Sequence, residues 1–294
     1  MSNESNNDLK LQLEKNNYIA DESLVTTLNL MEHLGRPLLI EGEAGVGKTA
    51  VAKALAEANS TRLIRLQCYE GIDSSAAVYE WNYSKQLLWI KLNENKSAST
   101  DDLHTEIFSR NFLLERPLFA AIQEEKSPVL LIDEIDRADE SFEAFLLEVL
   151  SEFQISIPEY GTIKAKSVPL VILTSNASRE LSDALRRRCL YHYLDFPEYE
   201  RELTIVMKRV PEANEKLIQQ VVNFIQQTRD ADIRKRPGVA ETLDWTKALV
   251  GLGINDLSKA FEQILVTRGC FLKTEEDHQY FDRKIVAKLF EAIA

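Results

Sequence analysis

Apolar and polar positions follow two alternating patterns over the first two thirds of the chain. Short runs that are continuously apolar, or that alternate apolar with polar residues, predict buried strands. Stretches with apolar residues at helical spacing stand between them, as at 22–35 and 140–153, and an alanine-rich run without breakers covers 49–59. Strands that alternate with helices indicate a mainly parallel sheet covered by helices on both sides. The predicted strands are 37–42, 61–68, 127–134, 168–176 and 190–196.

The pattern changes near Pro197, after which no further strand is predicted. Residues 198–294 read as helices, with a break at 235–238, and therefore as a smaller all-α domain after the α/β domain at 19–197. Two short alternating segments around a Pro-Glu-Tyr-Gly turn predict a hairpin at 153–166. Residues 1–18 read as a polar tail. The polar stretch 93–102 reads as a surface loop.

Composition narrows the classes of partner. A net charge of -12 argues against a general surface for nucleic acids or anionic membranes. No apolar run approaches the roughly 20 residues that span a bilayer, and the N-terminus lacks the features of a signal peptide. The isolated Cys68, Cys189 and Cys270 indicate reduced thiols in a cytoplasmic protein, and the four histidines have no metal-ligand spacing.

The segment IEGEAGVGKTAVA is the most specific motif. It matches G-x-x-x-x-G-K-[ST], a pattern that chance supplies in roughly 1% of chains of this length, and it lies between a predicted strand and a predicted helix. Glycines there let backbone N–H groups surround a polyphosphate at the positive end of the helix dipole. Lysine reaches the terminal phosphates, and threonine can ligate Mg²⁺. The predicted phosphate site comprises Gly42, Glu43, Ala44, Gly45, Val46, Gly47, Lys48, Thr49 and Ala50.

Polar residues that follow two later strands extend this site. Asp133 and Glu134 end the run VLLIDE, where one acid can serve Mg²⁺ and the other can activate water. Asn176 ends VILTSN and can help to position that water, although asparagine is also a common turn former. The run Arg186 to Arg188 is either a solvated basic face or, in a ring of subunits, the source of an arginine that reaches a neighbour's γ-phosphate.

In this order and spacing, the glycine loop, LLIDEIDRA, LTSN and DALRRRC resemble an AAA+ ATPase. LIRLQCYEGIDSSAAVYEW, DEIDRADESFEAFLLEVLSEFQISIPEYGTI and RPGVAETLDW are similar to the MoxR group, nearest to its branch associated with maturation of carbon monoxide dehydrogenase and related molybdenum hydroxylases. The resemblance covers about residues 20–255. It implies a P-loop AAA+ domain with a five-stranded sheet, a helical lid, an insert at about 76–110 and assembly as a ring, usually a hexamer.

The resemblance also implies roles for single residues. Lys48 binds the phosphates of ATP, Thr49 and Asp133 serve Mg²⁺, and Glu134 is the catalytic base. Asn176 is the sensor. The arginine finger is Arg188, with Arg187 in reserve, and Arg236 is the choice for the second arginine sensor in the lid, although the local pattern departs from the usual one.

Partners follow from the resemblance alone. Such ATPases work with a von Willebrand factor A domain protein and remodel a metalloenzyme client. A nucleotide-gated scaffold with little turnover and a nucleic-acid-directed motor remain open as alternatives, as does GTP in place of ATP. The aromatic residues Tyr79, Trp81, Tyr83 and Trp89 either pack the insert onto the sheet, which we favour, or face a client.

Overall fold

A computed structural model of the chain describes residues 3–93, 106–158 and 160–291. Nine strands lie in the described ranges: β1 (Leu38–Glu41), β2 (Leu63–Gln67), β3 (Tyr79–Trp81), β4 (Leu113–Glu115), β5 (Val129–Asp133), β6 (Gln154–Ile157), β7 (Gly161–Lys164), β8 (Leu170–Ser175) and β9 (Leu190–Tyr193).

The helices in the same ranges are α1 (Asn3–Lys15), α2 (Glu22–Leu34), α3 (Lys48–Ala58), α4 (Ser74–Ala77), α5 (Tyr83–Asn93), α6 (Pro117–Gln123), α7 (Glu140–Glu152), α8 (Asp183–Arg188), α9 (Tyr199–Arg209), α10 (Glu215–Arg229), α11 (Val239–Gly251), α12 (Phe261–Thr267), α13 (Glu275–Tyr280) and α14 (Arg283–Glu291). Among the residues that the structure describes, no helix is both long and apolar enough to cross a membrane.

A five-stranded sheet in the order β2-β5-β8-β1-β9 forms the centre of the α/β part. β2 pairs with β5, β5 with β8 and β8 with β1, each in parallel. All four residues of β1 and all five of β5 are buried, as the continuous apolar runs predict. The predicted sheet is therefore confirmed. Because these strands are parallel, β1, β5 and β8 end at the same edge of the sheet.

The chain divides into two compact units. The first comprises residues 1–25, 42–54 and 193–294, and the second comprises 26–41 and 55–192. The last segment of the first unit begins at residue 193, and the domain bounds 19–197 and 198–294 stay a prediction. That unit also takes in the glycine loop and the N-terminus, because both contact the C-terminal helices, as described below.

The second unit has one large apolar core on the sheet, which includes Leu66, Phe119, Ile132 and Leu173. In the first unit, Phe224, Trp245 and Phe271 pack together with ring centroids 4.6–5.7 Å apart. All three side chains are fully buried.

Residues 3–15 differ from the expected polar tail, because they form helix α1. Leu9 and Leu13, one helical turn apart, are buried within the first unit. The polar appearance of the segment arises because only one narrow stripe of the helix is apolar. A few residues further on, the Arg201 guanidinium bonds the carbonyl of Ile19 and the carboxylate of Asp21, which fixes the N-terminal segment to α9.

Three of the four aromatic residues of the insert are packed, and the fourth is exposed. Trp81 is buried, and Tyr79 and Trp89 pack against the core of the second unit, which agrees with a packing role. The Tyr83 side chain is 64% exposed. The predicted hairpin is present as antiparallel β6 and β7. Apart from Asn93, the loop expected at 93–102 lies outside the described residues.

Candidate functional site

The glycine loop of the first unit has a backbone that other residues rarely adopt. Gly45 and Gly47 have φ of +81° and +102°, in the left-handed region. A Cβ atom on Gly42 would lie 2.2 Å from the carbonyl oxygen of Leu194, so a side chain is excluded there as well. Around Gly47, by contrast, no atom lies within 4 Å of such a Cβ. The loop therefore keeps open space beside its last glycine, directly before α3.

The opposite side of the loop is in close contact with the start of α11. The Gly45 carbonyl accepts hydrogen bonds from the N–H groups of Val239, at 3.0 Å, and Ala240, at 3.4 Å. A Cβ atom on Gly238 would come within 2.7 Å of Gly45. The N–H of Gly238 bonds to Glu241 at 2.9 Å, which completes the cap of α11. Two glycines thus allow the helix end and the loop to touch through their backbones.

Lys48 begins α3 and is buried, with a relative exposure of 7%. Its Nζ donates to the carbonyl oxygens of Gly42, at 2.7 Å, and Glu43, at 2.8 Å. A buried ammonium requires such acceptors or an anion. Thr49 and Ala50 follow it on the exposed side of the helix.

A cavity of about 210 Å³ lies beside the loop, within the first unit. Apolar side chains from α3, α9 and α11 form much of its wall, and Tyr18 and Arg201 add polar atoms. Burial raises the pKa of the Tyr18 hydroxyl well above its usual value, although the Arg201 charge opposes the shift. A mostly apolar pocket beside a phosphate loop suits a nucleobase. Its lining includes Ile19, Gly45, Val46, Gly47, Ala50, Ile205, Val239, Ala240 and Leu243.

The second unit carries the two acids at the end of β5. Asp133 is 3% exposed; Arg65 forms an ion pair with it at 2.6 Å, and the Thr174 hydroxyl donates to its other oxygen. Glu134 has φ 56° and ψ 50°, in the left-handed region, which turns its side chain away from the strand direction. Its carboxylate accepts from Gln67 and Arg137, each at 3.1 Å.

Asn176 stands directly after β8, and its backbone is held by Asp136. One Asp136 oxygen accepts from the N–H of Asn176 at 3.2 Å and from the N–H and hydroxyl of Ser178 at 2.9 and 2.6 Å. Burial alone would raise the pKa of Asp136, but these hydrogen bonds outweigh it and bring the pKa below its usual value. The Thr174 hydroxyl also accepts from the N–H of Glu134 at 3.0 Å, so β8 and β5 are linked where both end.

The arginine run forms the short helix α8. Arg186 is paired with Glu41 at 3.0 Å. Among the described residues, the Arg187 and Arg188 side chains have no hydrogen-bond or ion-pair partner and are exposed. Of the three arginines, these two are therefore available for a further anion.

Arg236, the residue expected to be the lid sensor, is exposed and is absent from the wall of the cavity beside the loop. Arg234, the other arginine of this segment, pairs with Glu276 at 2.7 Å on the surface. The position that meets the loop is that of Gly238, through its backbone.

Several residues of this site were not anticipated from the sequence. Arg65 and Gln67 lie on the same face of β2 and contact the acids of the neighbouring strand. Residues two apart in a strand lie on the same face. The sequence could have indicated both residues, because their strand precedes the predicted strand that ends in Asp133 and Glu134. Thr174 and Asp136 have no comparable local signal, since their partners lie some 40 residues away in the chain.

The residues present fit a nucleotide. The open loop at Gly47 and the buried amine of Lys48 suit phosphates. The apolar cavity in the same unit suits a nucleobase. Thr49 in the first unit and Asp133 in the second each carry an oxygen of the kind that Mg²⁺ prefers. No cluster of three or more His, Cys, Asp or Glu side chains suited to a metal ion occurs in the described ranges.

Comparison with known proteins places these features in a family. The chain is 24% identical over 234 residues to the gas vesicle ATPase GvpN1 of Halobacterium salinarum, and the match covers 74% of this chain and 64% of that protein. An uncharacterized protein of Staphylococcus haemolyticus is 22% identical over 276 residues, covering 90% of this chain and 95% of that protein. The chain thus spans less than two thirds of the gas vesicle relative.

Among solved structures, a mutant of RuvB from Thermotoga maritima aligns with a TM-score of 0.46 and 18% identity, covering 92% of this chain and 67% of that chain. The family model described as "AAA domain (dynein-related subfamily)" matches residues 37–189, slightly more than half of the chain. The chain therefore belongs to the AAA domain family, in its dynein-related subfamily.

Proposed function

We propose that this AAA protein hydrolyses ATP with Mg²⁺. The glycine loop and Lys48 hold the phosphates, and the cavity beside the loop takes the base. Thr49 and Asp133 serve the metal ion, whose charge offsets that of the phosphates. The observation that carries the proposal is the buried Lys48 amine in an open glycine loop beside an apolar cavity.

In this proposal Glu134 is the base and Asn176 positions the attacking water. Gln67 and Arg137 hold the Glu134 carboxylate by one oxygen, which leaves the other to accept a proton. Asp133, which is paired with Arg65, would supply a carboxylate to the metal ion when that ion is bound.

The test is phosphate release from ATP, measured together with ATP binding, for the wild type and Glu134→Gln. We expect Glu134→Gln to bind ATP as the wild type does and to release phosphate at least 100-fold more slowly, because general base catalysis contributes about 10²–10⁴-fold. Equal rates in the two proteins would show that Glu134 is not the base. The same assay with GTP in place of ATP tests which nucleobase the protein accepts.

We further propose that the chain works as a homo-oligomeric ring of six, with Arg188, or Arg187 in its place, reaching the nucleotide of a neighbour. The support is that Arg186 is already paired with Glu41, whereas the other two guanidinium groups are exposed at the end of α8. An arginine finger accounts for about 10³–10⁵-fold in turnover in related phosphoryl-transfer enzymes.

At the level of biology, we propose a MoxR-type remodelling role with a von Willebrand factor A domain partner and a metalloenzyme client. The support is that the segments DEIDRADESFEAFLLEVLSEFQISIPEYGTI and RPGVAETLDW resemble the MoxR group. Addition of a purified von Willebrand factor A domain protein from the same genome should raise the ATPase rate. A rate that stays unchanged, with no complex formed in ATP, would contradict this role.

Two alternatives have distinct outcomes in these assays. A nucleotide-gated scaffold would bind ATP but release phosphate at the same low rate in wild type and Glu134→Gln. A nucleic-acid motor would bind DNA tightly, with an affinity that falls steeply as salt rises.

A further inference from the structure

The guanidinium of Arg36 binds the end of the arginine helix. Its Nη2 donates to the carbonyl oxygens of Arg187, at 2.6 Å, and Cys189, at 3.2 Å, and its Nε donates to that of Arg188 at 3.2 Å. Arg36 lies two residues before β1, some 150 residues away along the chain. One side chain thus binds three successive carbonyl groups, which the planar fork of donors in arginine allows.

Helix α8 has only six residues, which is too short to be stable by itself. Its start is capped by Ser182, and Leu185 is completely buried. The last carbonyl groups of any helix lack hydrogen-bond donors within the helix. In α8, Arg36 supplies these donors. The same contact places a positive charge at the negative end of the helix dipole.

Four arginines lie at or near the end of α8, and within the described part of the chain two of them have partners while two do not. Arg36 is engaged with backbone carbonyls and Arg186 with Glu41. Arg187 and Arg188 are exposed and border a cavity of about 490 Å³, which Arg36 also lines. Because the first pair is held in place, the helix end that carries the second pair has a defined position.

We propose that Arg36 is a positioning residue for the arginine finger. It fixes the backbone of residues 187–189, so that Arg187 and Arg188 extend from a rigid helix end toward the phosphate of a neighbouring subunit. This inference rests on the proposed ring ATPase. It adds a residue outside the arginine run. Arg36 fixes the helix end, and Arg187 or Arg188 contacts the phosphate.

The test uses mixed assemblies. Arg36→Ala, Arg36→Lys and Arg188→Ala are each assayed alone and after mixing with Glu134→Gln, with ATP binding measured in parallel. Arg62→Ala is the matched control, because Arg62 is an exposed arginine of the same unit that pairs with Glu124. Thermal unfolding of each variant reports whether it is folded.

We expect Arg36→Ala to lose turnover about tenfold or more, which corresponds to about 1.4 kcal/mol in the barrier, and to keep its affinity for ATP. Arg36→Lys should fall between it and the wild type, because lysine keeps the positive charge but lacks the planar fork of Nε and Nη2 that reaches the three carbonyls. Mixing with Glu134→Gln should restore part of the activity, as for Arg188→Ala, because the Glu134→Gln subunit supplies an intact finger. Arg62→Ala should match the wild type.

Normal turnover in Arg36→Ala, or a mixture that stays inactive while the Arg188→Ala mixture recovers, would overturn the inference alone. A wild type that hydrolyses no nucleotide would overturn the proposed function and this inference with it. If Arg36→Ala does not fold, Arg36→Lys decides: turnover equal to the wild type overturns the inference, and a partial loss that mixing repairs supports it.

Discussion

At the scale of single residues, Lys48 has the most direct role. Its buried ammonium is bonded to two carbonyl groups of its own loop, 2.7 and 2.8 Å away. A bound polyphosphate offers the same ammonium a charged acceptor in place of a neutral one. The strength of nucleotide binding should therefore depend strongly on this side chain.

Lys48→Ala should weaken ATP binding by one to two orders of magnitude, because a hydrogen bond between charged groups contributes about 1.5–3 kcal/mol. Titration with a fluorescent ATP analogue measures the change. Lys53→Ala, later in α3, is the control and should bind as the wild type does. Unchanged affinity in Lys48→Ala would contradict the phosphate assignment.

Asp136 should contribute to stability in a pH-dependent way. Asp136→Ala removes the charged acceptor of the partly buried N–H groups of Asn176 and Ser178, which should lower the free energy of unfolding by about 2 kcal/mol at pH 7. Because the pKa of Asp136 is lowered on folding, its contribution is complete above the usual carboxylate pKa and is lost as the pH falls through the folded value.

Urea unfolding at pH 7 and near pH 3 measures this effect. The difference between wild type and Asp136→Ala should shrink at the lower pH, and Asp136→Asn, which keeps an acceptor, should lose less at pH 7. A difference that is equal at both pH values would show that the ionised carboxylate is not what holds the segment.

The cysteines should differ in reactivity. Burial raises the pKa of the Cys68 and Cys189 thiols to about 12, and Cys270 is only half-buried. A thiol reagent at pH 8 should therefore modify Cys270 first and the other two only after denaturant is added. Rapid modification of all three in the native protein would contradict the buried positions of Cys68 and Cys189.

Residues of the site differ in how far the sequence predicts them. Lys48 and Asp133 stand in local patterns whose chemistry is set by neighbours in the chain, so they are found directly. Arg65 and Arg36 act on partners 68 and about 150 residues away, and only the strand register and the position of α8 bring them there. No local pattern reports such contacts.

At the scale of elements, the contact between the glycine loop and α11 is the most unusual feature. Gly238 has φ -82° and ψ -177°, which any residue adopts, so its lack of a side chain matters only for the approach to Gly45. The helix and the loop are therefore coupled through two glycines and the Gly45 carbonyl. A displacement of α11 should therefore change the conformation of the glycine loop.

Gly238→Ala should push α11 away from the loop, because its Cβ would lie 2.7 Å from Gly45 atoms. Gly251→Ala, at the end of the same helix, meets no atom within 4 Å and is the matched control. We expect Gly238→Ala to lower both the unfolding temperature and ATP affinity, and the control to preserve both. Equal behaviour of the two variants would show that the close approach is unimportant.

Strands and long helices are predicted well here, because continuous apolar runs and helical spacing are local signals. Helix α1 is missed because it has few apolar positions, and the burial of Leu9 and Leu13 depends on tertiary packing that no local pattern reports. The lid arginine stays a prediction: the sequence points to Arg236, which is exposed, and the backbone of Gly238 contacts the loop.

At the scale of the whole molecule, each active site is completed by a neighbouring chain in the proposed ring. The exposed Arg187 and Arg188 contribute nothing to a site of their own chain in this proposal. Turnover should then depend on assembly, whereas ATP binding by the loop and cavity should not.

The most direct test of this central claim is the ATPase rate per subunit as a function of protein concentration, for the wild type and Glu134→Gln. We expect the wild-type rate per subunit to rise with concentration to a plateau, and the variant to stay near zero while still binding ATP. A wild-type rate that is independent of concentration down to a sedimenting monomer would contradict it.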